Sequence, residues 1–431
     1  MQGVAFLGGS SLAFTAFAAL FFVAFTVLLQ RYLHLRHIPG PLLASLTDLW
    51  LTYKFWFGEG FAQITSDLHR KYGPIVRMGP NRLIFCNASA ISVIYRTTDV
   101  MPKVSFGEPH IGPHSILHSR SCSADARTSF VTILDEKRMS AIKRLLLGNL
   151  TINSFLQQES ELDRTLSSLM KYLEDTEEGV EIGKTFGYWA FDTISRVALS
   201  EDQAFLSQQK DCGATLKGAS RRLAHAQYWC ALPALERLIF KNPLMQRMQS
   251  SSALGTLAAQ KMQARLRQEK ETDLEDQVDL LGKYLTASRR DPDLVKPVDV
   301  IGFLVSTMHA GSETTGQAVA GILSVLLKHP KKMAKLEEEI LSAELGDMPQ
   351  FGDANKLPYL DSVIREFGRF RGGGLTLIER TVPGDGAMIG GIWIPGGTNV
   401  SVSTTVLNMN PEIWGPNPEQ FVPERWIGWN K

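Results

Sequence analysis

The sequence has almost no net charge and little cysteine, and both shortages exclude whole classes of function. Lys and Arg number 45 against 44 Asp and Glu, a formal net charge of +1. Without a basic surplus, nucleic-acid binding driven by bulk charge is excluded. The four cysteines, Cys86, Cys122, Cys212 and Cys230, form no CxxC pair and have no zinc-ligand spacing. They are too sparse for a disulfide framework, which points to a reducing compartment for most of the chain. Internal repeats and low-complexity linkers are also missing. Charged residues at 21% and hydrophobic residues at 44% are those of a folded protein, so general disorder is excluded. At 431 residues the chain can bury a large core, as about three domains or as one large fused body.

Charge is absent altogether from Val4 to Leu29, a run of Ala, Leu, Phe and Val with a few Gly, Ser and Thr. A helix of about 20 residues crosses a bilayer core, so this run suffices. Arg31 and Arg36, with His34 and His37 beside them, follow at once and argue that this side stays cytosolic. A cleaved signal peptide would have an apolar core of about 7–15 residues behind a charged leader. The run here is longer and nothing basic precedes it. The reading is a membrane anchor over residues 1–30, a basic and Pro-rich hinge over 31–41, and a single large body over 42–431.

Within the hinge, Pro39-Gly40-Pro41 stops any helix, because two prolines fix φ and remove donors. Short β-like runs follow at Ile75–Met78 and Arg82–Cys86, and Gly79-Pro80-Asn81 between them predicts a hairpin. From Ser129 to Leu345 apolar residues recur three and four apart, which predicts helices. Ile301–Leu327 reads as one long apolar helix with small residues at its middle, and Pro330 opens the next. In that next helix Lys331, Lys332 and Lys335 are expected to face Glu337, Glu338 and Glu339. After Thr376 the chain turns glycine-rich and β-like. The fold class is mainly α with small β-sheets, plus an N-terminal transmembrane helix.

Three motifs carry chemistry. Ala310-Gly311-Ser312-Glu313-Thr314-Thr315 lies inside the long apolar helix. Gly costs a helix about 1 kcal/mol relative to Ala, and Thr hydroxyls bond to carbonyls a turn back. Glu313 in such a stretch needs a partner. The segment is either a kinked core helix with its acid at the surface, or a groove where an acid and a hydroxyl handle protons beside a flat ligand. In Glu366-Phe367-Gly368-Arg369, Glu and Arg share one helical face. They form either a surface ion pair worth well under 1 kcal/mol or, with Arg425 of Pro423-Glu424-Arg425-Trp426, a buried triad in which one carboxylate bridges two guanidinium groups.

The order of these motifs, after Ile38-Pro39-Gly40-Pro41, resembles a microsomal cytochrome P-450, a haem-thiolate monooxygenase. Ile378-Glu379-Arg380-Thr381-Val382-Pro383 and Ile394-Pro395-Gly396-Gly397-Thr398 add to the resemblance. It covers essentially the whole chain. It points to the fungal enzymes of secondary metabolism, related to the pisatin-demethylase-like and benzoate-hydroxylase-like groups. The resemblance implies haem b as cofactor and an NADPH-dependent membrane reductase as electron donor. It implies a small hydrophobic substrate, and a single-pass location in the endoplasmic reticulum membrane with the catalytic body in the cytosol. By resemblance Glu313 and Thr314 are the proton-relaying acid–alcohol pair, with Ala310 and Gly311 beside the cofactor. Arg380 and Arg144 each hold one haem propionate, which suits guanidinium geometry. Glu366, Arg369 and Arg425 are structural residues near the haem. Phe106–Leu117, Leu206–Trp229 and Leu375–Ile378 are expected to line the substrate.

Several positions depart from the family pattern. Ser140 stands where Trp or His is usual, Asn408 where His is common, and Arg371-Gly372 where His-Pro is usual. The resemblance further implies an iron-ligating Cys in a loop of the type FxxGxRxCxG beyond Trp426, whereas the sequence ends at Lys431. The expectation is therefore a body without that loop and with no metal ligand of its own. Cys86 is expected in the N-terminal sheet, Cys122 before the third helix, and Cys212 and Cys230 in the substrate roof, all as free thiols. Two functional classes stay open: a monooxygenase, and a truncated, non-catalytic relative.

Overall fold

The computed structural model describes residues 5–104, 135–147, 151–177, 179–229, 233–240, 253–268, 279–371 and 378–428, with isolated positions at 130, 133, 242 and 244. The chain divides into two compact units. One comprises Met1–Ser115, Gln227–Phe240 and Gly374–Leu407, and the other Ile116–Ala226, Lys241–Gly373 and Asn408–Lys431.

The first unit begins with helix α1 (Ala5–His34), followed by α2 (Leu42–Leu46), α3 (Leu49–Trp56) and α4 (Phe61–Tyr72). Strands β1 (Ile75–Gly79) and β2 (Arg82–Phe85) form the expected hairpin, turning at Pro80-Asn81. Helix α5 (Ser89–Ile94) follows. The chain returns much later with β3 (Arg380–Thr381), β4 (Ala387–Ile389), β5 (Ile392–Ile394) and β6 (Asn399–Val402). The sheet order is β1-β2-β6-β3, with β2 and β6 parallel in the register Arg82↔Asn399 to Phe85↔Val402, while β4 and β5 pair alone. Leu83, Phe85, Val400 and Val402 are buried with Leu35, Ile38 and Ile94, so this sheet carries the unit's core. Cys86 follows β2 as a free, half-buried thiol whose pKa is raised by burial.

The second unit is helical. Its main helices are α6 (Glu136–Leu147), α7 (Glu159–Asp175), α8 (Ile182–Leu199), α9 (Thr215–Trp229), α10 (Ala253–Gln268), α11 (Leu280–Arg290), α12 (Pro297–Leu327), α13 (Pro330–Ser342) and α14 (Pro358–Arg371). Helix α12 starts where Pro297 takes the first helical position, which needs no N–H donor. Asp299 then accepts the Lys296 N–H at 3.1 Å and the Arg138 guanidinium of α6 at 2.6 Å. The helix ends before Pro330, which cannot continue it. Ile142, Leu146, Phe191, Leu254, Leu281, Tyr284, Phe303 and Met308 meet in one buried cluster around α12. Along α13 the lysines do not pair as expected. Lys335 and Lys332 reach Glu424 at 3.0 and 3.4 Å, while Glu339 caps α14 through the Tyr359 and Leu360 N–H groups. Helix starts offer unpaired N–H donors, and these compete successfully for the carboxylate.

Candidate functional site

The predicted site residues fall on both units, so each set is taken within its own. On α12 the glycines act by packing. A Cβ on Gly311 would lie 2.6 Å from Ile194 Cγ1, and one on Gly316 would lie 2.8 Å from the Gly187 Cα and the Phe186 carbonyl oxygen. Both contacts are with α8. Gly316 therefore lets the two helices touch nearly backbone to backbone, Gly311 makes room for the Ile194 side chain, and α12 runs unbroken from 297 to 327. The expected back-bond is present, with the Thr314 hydroxyl donating to the Ala310 carbonyl at 2.5 Å. Ala310 and Thr314, one turn apart, are exposed on a helix whose Phe303, Leu304, Met308 and Ser312 are buried. Glu313 lies half-buried at the edge of α12 and accepts a hydrogen bond from the Ser220 hydroxyl of α9 at 2.7 Å. It lines a cleft of about 560 Å³ with Lys184, Tyr188, Lys217, Arg221 and Gln317. The acid thus reaches the protein surface on an unbroken helix, and the Thr314 hydroxyl beside it is exposed.

The Glu366–Arg369 pair is not a surface ion pair. Both side chains are fully buried, and the guanidinium meets the carboxylate in two parallel bonds of 2.8 Å. Arg369 also donates to the carbonyls of Asn408, Pro418 and Gln420 at 2.6, 2.6 and 3.0 Å. Glu366 in turn accepts the Val422 N–H at 2.8 Å and the Trp426 indole N–H at 3.0 Å. Arg425 completes the triad loosely. Its Nε is 3.6 Å from Glu366, while its remaining donors hold the carbonyls of Trp414, Pro416 and Asn417. One carboxylate and two guanidinium groups thereby fasten the segment 408–426 to α14. Trp426 sits in the quoted motif, but its indole bond was not legible in sequence.

Arg144 lies in the last turn of α6, exposed together with Ser140 four residues earlier, while Met139, Ile142 and Leu146 turn inward. Arg380 opens β3 in the first unit. Its Nη1 donates to the Glu379 carbonyl at 3.2 Å, and its guanidinium lies 5.9 Å from the Tyr95 ring centre. The Arg380 Nε is buried and, among the described residues, meets no acceptor. A buried N–H of a guanidinium without an acceptor costs free energy, so this donor suits a carboxylate ligand. The neighbouring Glu379, quoted only as part of a motif, is buried against Arg82, whose Nη2 is 3.4 Å from it. Asp48 takes the same guanidinium at 3.3 Å. Burial pushes the Asp48 carboxyl up to about 7, with Arg82 opposing the rise and Glu379 adding to it. Burial also raises Glu379, against the pull of Arg82.

Cys212, the second free thiol among the described residues, is half-buried just before α9. No group of three or more His, Cys, Asp or Glu side chains is arranged to hold a metal ion among the described residues. Cys122, Cys230, Phe106–Leu117, and 375–377 of the expected substrate lining lie outside the described residues, as do Gly372–Gly374.

A family model described as Cytochrome P450 matches residues 39–431. A cytochrome P450 monooxygenase of Aspergillus terreus is 29% identical over 414 residues, covering 93% of this chain and 82% of that protein. Cytochrome P450 monooxygenase asR2 of Sarocladium schorii is 27% identical over 440 residues, covering 97% and 83%. A pisatin demethylase of Fusarium vanettenii is 28% identical over 409 residues, covering 92% and 76%.

Proposed function

The chain belongs to the cytochrome P450 family, of the fungal secondary-metabolism type, and from that premise we propose that it is a membrane-anchored monooxygenase acting on a small lipophilic metabolite. Members of the family bind haem and are oxidoreductases supplied with electrons by a redox partner. Haem, when bound, supplies the redox-active iron at which one atom of dioxygen enters an organic substrate. Each unit taken by itself offers one feature that suits such a group: in the first the acceptor-free Nε of Arg380, in the second the exposed Ala310 and Thr314 side of α12. Arg380 and Arg144 are assigned to the propionate carboxylates, as charge-assisted guanidinium bonds favour. Ala310 is assigned to the cofactor's flat face, and Gly311 serves it indirectly by letting α8 pack close.

Thr314 and Glu313 are the proton-handling pair in this reading. The Thr314 hydroxyl, tied to the Ala310 carbonyl, has lone pairs left to hold a water at the open turn. The Glu313 carboxylate, steadied by Ser220, exchanges protons with solvent through the cleft it lines. Glu366, Arg369 and Arg425 position the segment 408–426 and touch no reacting atom. The observation that carries the reading is an exposed hydroxyl next to a half-buried acid on a helix otherwise packed on its apolar sides.

The membrane part rests on α1. The window Phe17–His34 has a mean hydropathy of 1.5 with none of it buried, and no other helix among the described residues is long and apolar enough to cross a membrane. Thirty helical residues span about 45 Å. Arg31 and Arg36 behind the span support a cytosolic body, and with it the endoplasmic reticulum and an NADPH-dependent reductase in the same membrane. The substrate class is supported by the exposed apolar side chain of Ile378, an ordinary kind of pocket lining, whereas 206–229 is mixed, with Lys210, Asp211, Lys217 and Arg221 among its apolar residues. The test supplies the vesicle-bound chain with haem, reductase, NADPH and isotopically labelled dioxygen, and offers lipophilic, partly oxygenated metabolites. One labelled oxygen atom per product is expected, and product whose added oxygen comes from water would overturn the proposal.

A further inference from the structure

The end of α1 and the Pro-rich segment behind it are held by one buried side chain. Arg77, in the middle of β1, is 1% exposed. All of its acceptors are backbone carbonyls. Nη1 donates to Tyr32 at 2.8 Å, Nη2 to Arg31, to Pro80 at 2.7 Å and to Ser45 at 3.3 Å, and Nε to Gly79 at 3.2 Å. Arg31 and Tyr32 belong to the last four residues of α1, whose carbonyls have no partner within the helix. A cation at that end also meets the negative pole of the helix. Burial lowers the Arg77 pKa only to about 10, so the charge persists at neutral pH.

The chain beyond α1 is fastened at the same place. Leu35 and Ile38 are buried in the sheet's core. The Pro39 carbonyl accepts the Arg77 N–H at 2.8 Å. Gly40 lies so close to β1 that a Cβ there would sit 2.2 Å from the Arg77 carbonyl oxygen. Residues 31–45 therefore wrap around one guanidinium, where two prolines alone would suggest a hinge.

We propose that Arg77 is a latch that caps α1 from the sheet and fixes the direction in which the apolar helix leaves the first unit. The latch stands on contacts within that unit alone. Its consequence, that the unit meets a lipid bilayer at one set angle, rests on the membrane reading of α1. A guanidinium suits the role because its five N–H groups fan out in a plane and can serve three chain segments at once. A lysine ammonium has three donors at one point.

The test is pulsed dipolar spectroscopy on the full chain, with spin labels introduced as non-natural amino acids at the exposed positions Val27 on α1 and Met388 on β4. A control pair joins Met388 to exposed Tyr53 on α3. In detergent micelles and in phosphatidylcholine nanodiscs, the wild type is expected to give one narrow Val27–Met388 distance distribution. Arg77→Lys is expected to broaden it at least two-fold while the control pair stays narrow. A broad wild-type distribution overturns the latch, as does an Arg77→Lys distribution as narrow as wild type. Should Arg77→Lys disturb the control pair, the wild-type distribution alone decides. A narrow distribution in micelles from a chain that does not bind phosphatidylcholine vesicles would uphold the latch and remove the membrane reading.

Discussion

Glu366→Gln changes one oxygen to an amide nitrogen, keeps the volume, and should nonetheless be among the most damaging single changes in the second unit. All the hydrogen-bond partners of this carboxylate are donors. One oxygen takes Arg369 Nη2 and the Val422 N–H, each at 2.8 Å, and the other takes Arg369 Nε at 2.8 Å and the Trp426 indole at 3.0 Å. Whichever way a glutamine amide is turned, its NH₂ faces two N–H groups. Two charge-assisted bonds are then lost, at about 1.5–3 kcal/mol each, and the counter-charge against which Arg369 is buried, and to which Arg425 Nε lies 3.6 Å away, is removed. The expected loss is about 3–5 kcal/mol. Urea unfolding followed by tryptophan fluorescence reads it well, because Trp414 and Trp426 lie 5.2 Å apart in the fastened segment. Hydrogen exchange over 408–426 should rise in parallel. A variant within 0.5 kcal/mol of wild type, with unchanged exchange there, would refute the reasoning and return the pair to the class of surface ion pairs.

Further outcomes follow from other sites. Asp48 has a folded pKa raised from 3.8 to about 7, so its contribution to stability is full below about pH 4 and is lost as pH rises through 7. Thermal melts should therefore show wild type losing about 2–3 kcal/mol between pH 5 and 8 that Asp48→Asn does not lose; equal losses would contradict this. Gly316→Ala forces a methyl against the α8 backbone, whereas at Gly311 it meets only the Ile194 side chain. The first should cost about 1–3 kcal/mol and the second less, and the reverse order of melting temperatures would be decisive against the packing argument. Thr314→Ala should lower product formed per NADPH consumed several-fold and raise hydrogen peroxide, with little change in substrate affinity; an unchanged ratio would remove Thr314 from proton handling.

Much of this was legible in sequence because punctuation and periodicity are local. Gly79-Pro80-Asn81 marks its own hairpin, and Pro330 opens the helix after the long apolar run, although that run's helix starts at Pro297, four residues before the expected Ile301. The buried triad was legible as one of two readings, since three-residue spacing gives a shared face but says nothing of burial. What stayed hidden depends on partners far away in the chain. Arg77 looks like a strand residue until the end of α1 folds onto it. Glu379 looks like part of a motif until Arg82 and Asp48 close around it. Ser220 carries no signal at all, because a hydroxyl on a polar helix reads as solvent-facing. Gly311 read as a helix weakness, whereas its missing side chain makes room for Ile194.

Haem titration of the purified 431-residue chain, followed by Soret absorbance and by tryptophan quenching, tests the central claim most directly. A saturable one-to-one complex is expected, weakened about ten-fold, or about 1.4 kcal/mol, by Arg380→Met and unaffected by Arg36→Met. Absence of saturable binding, or equal affinity for wild type and Arg380→Met, would contradict the account.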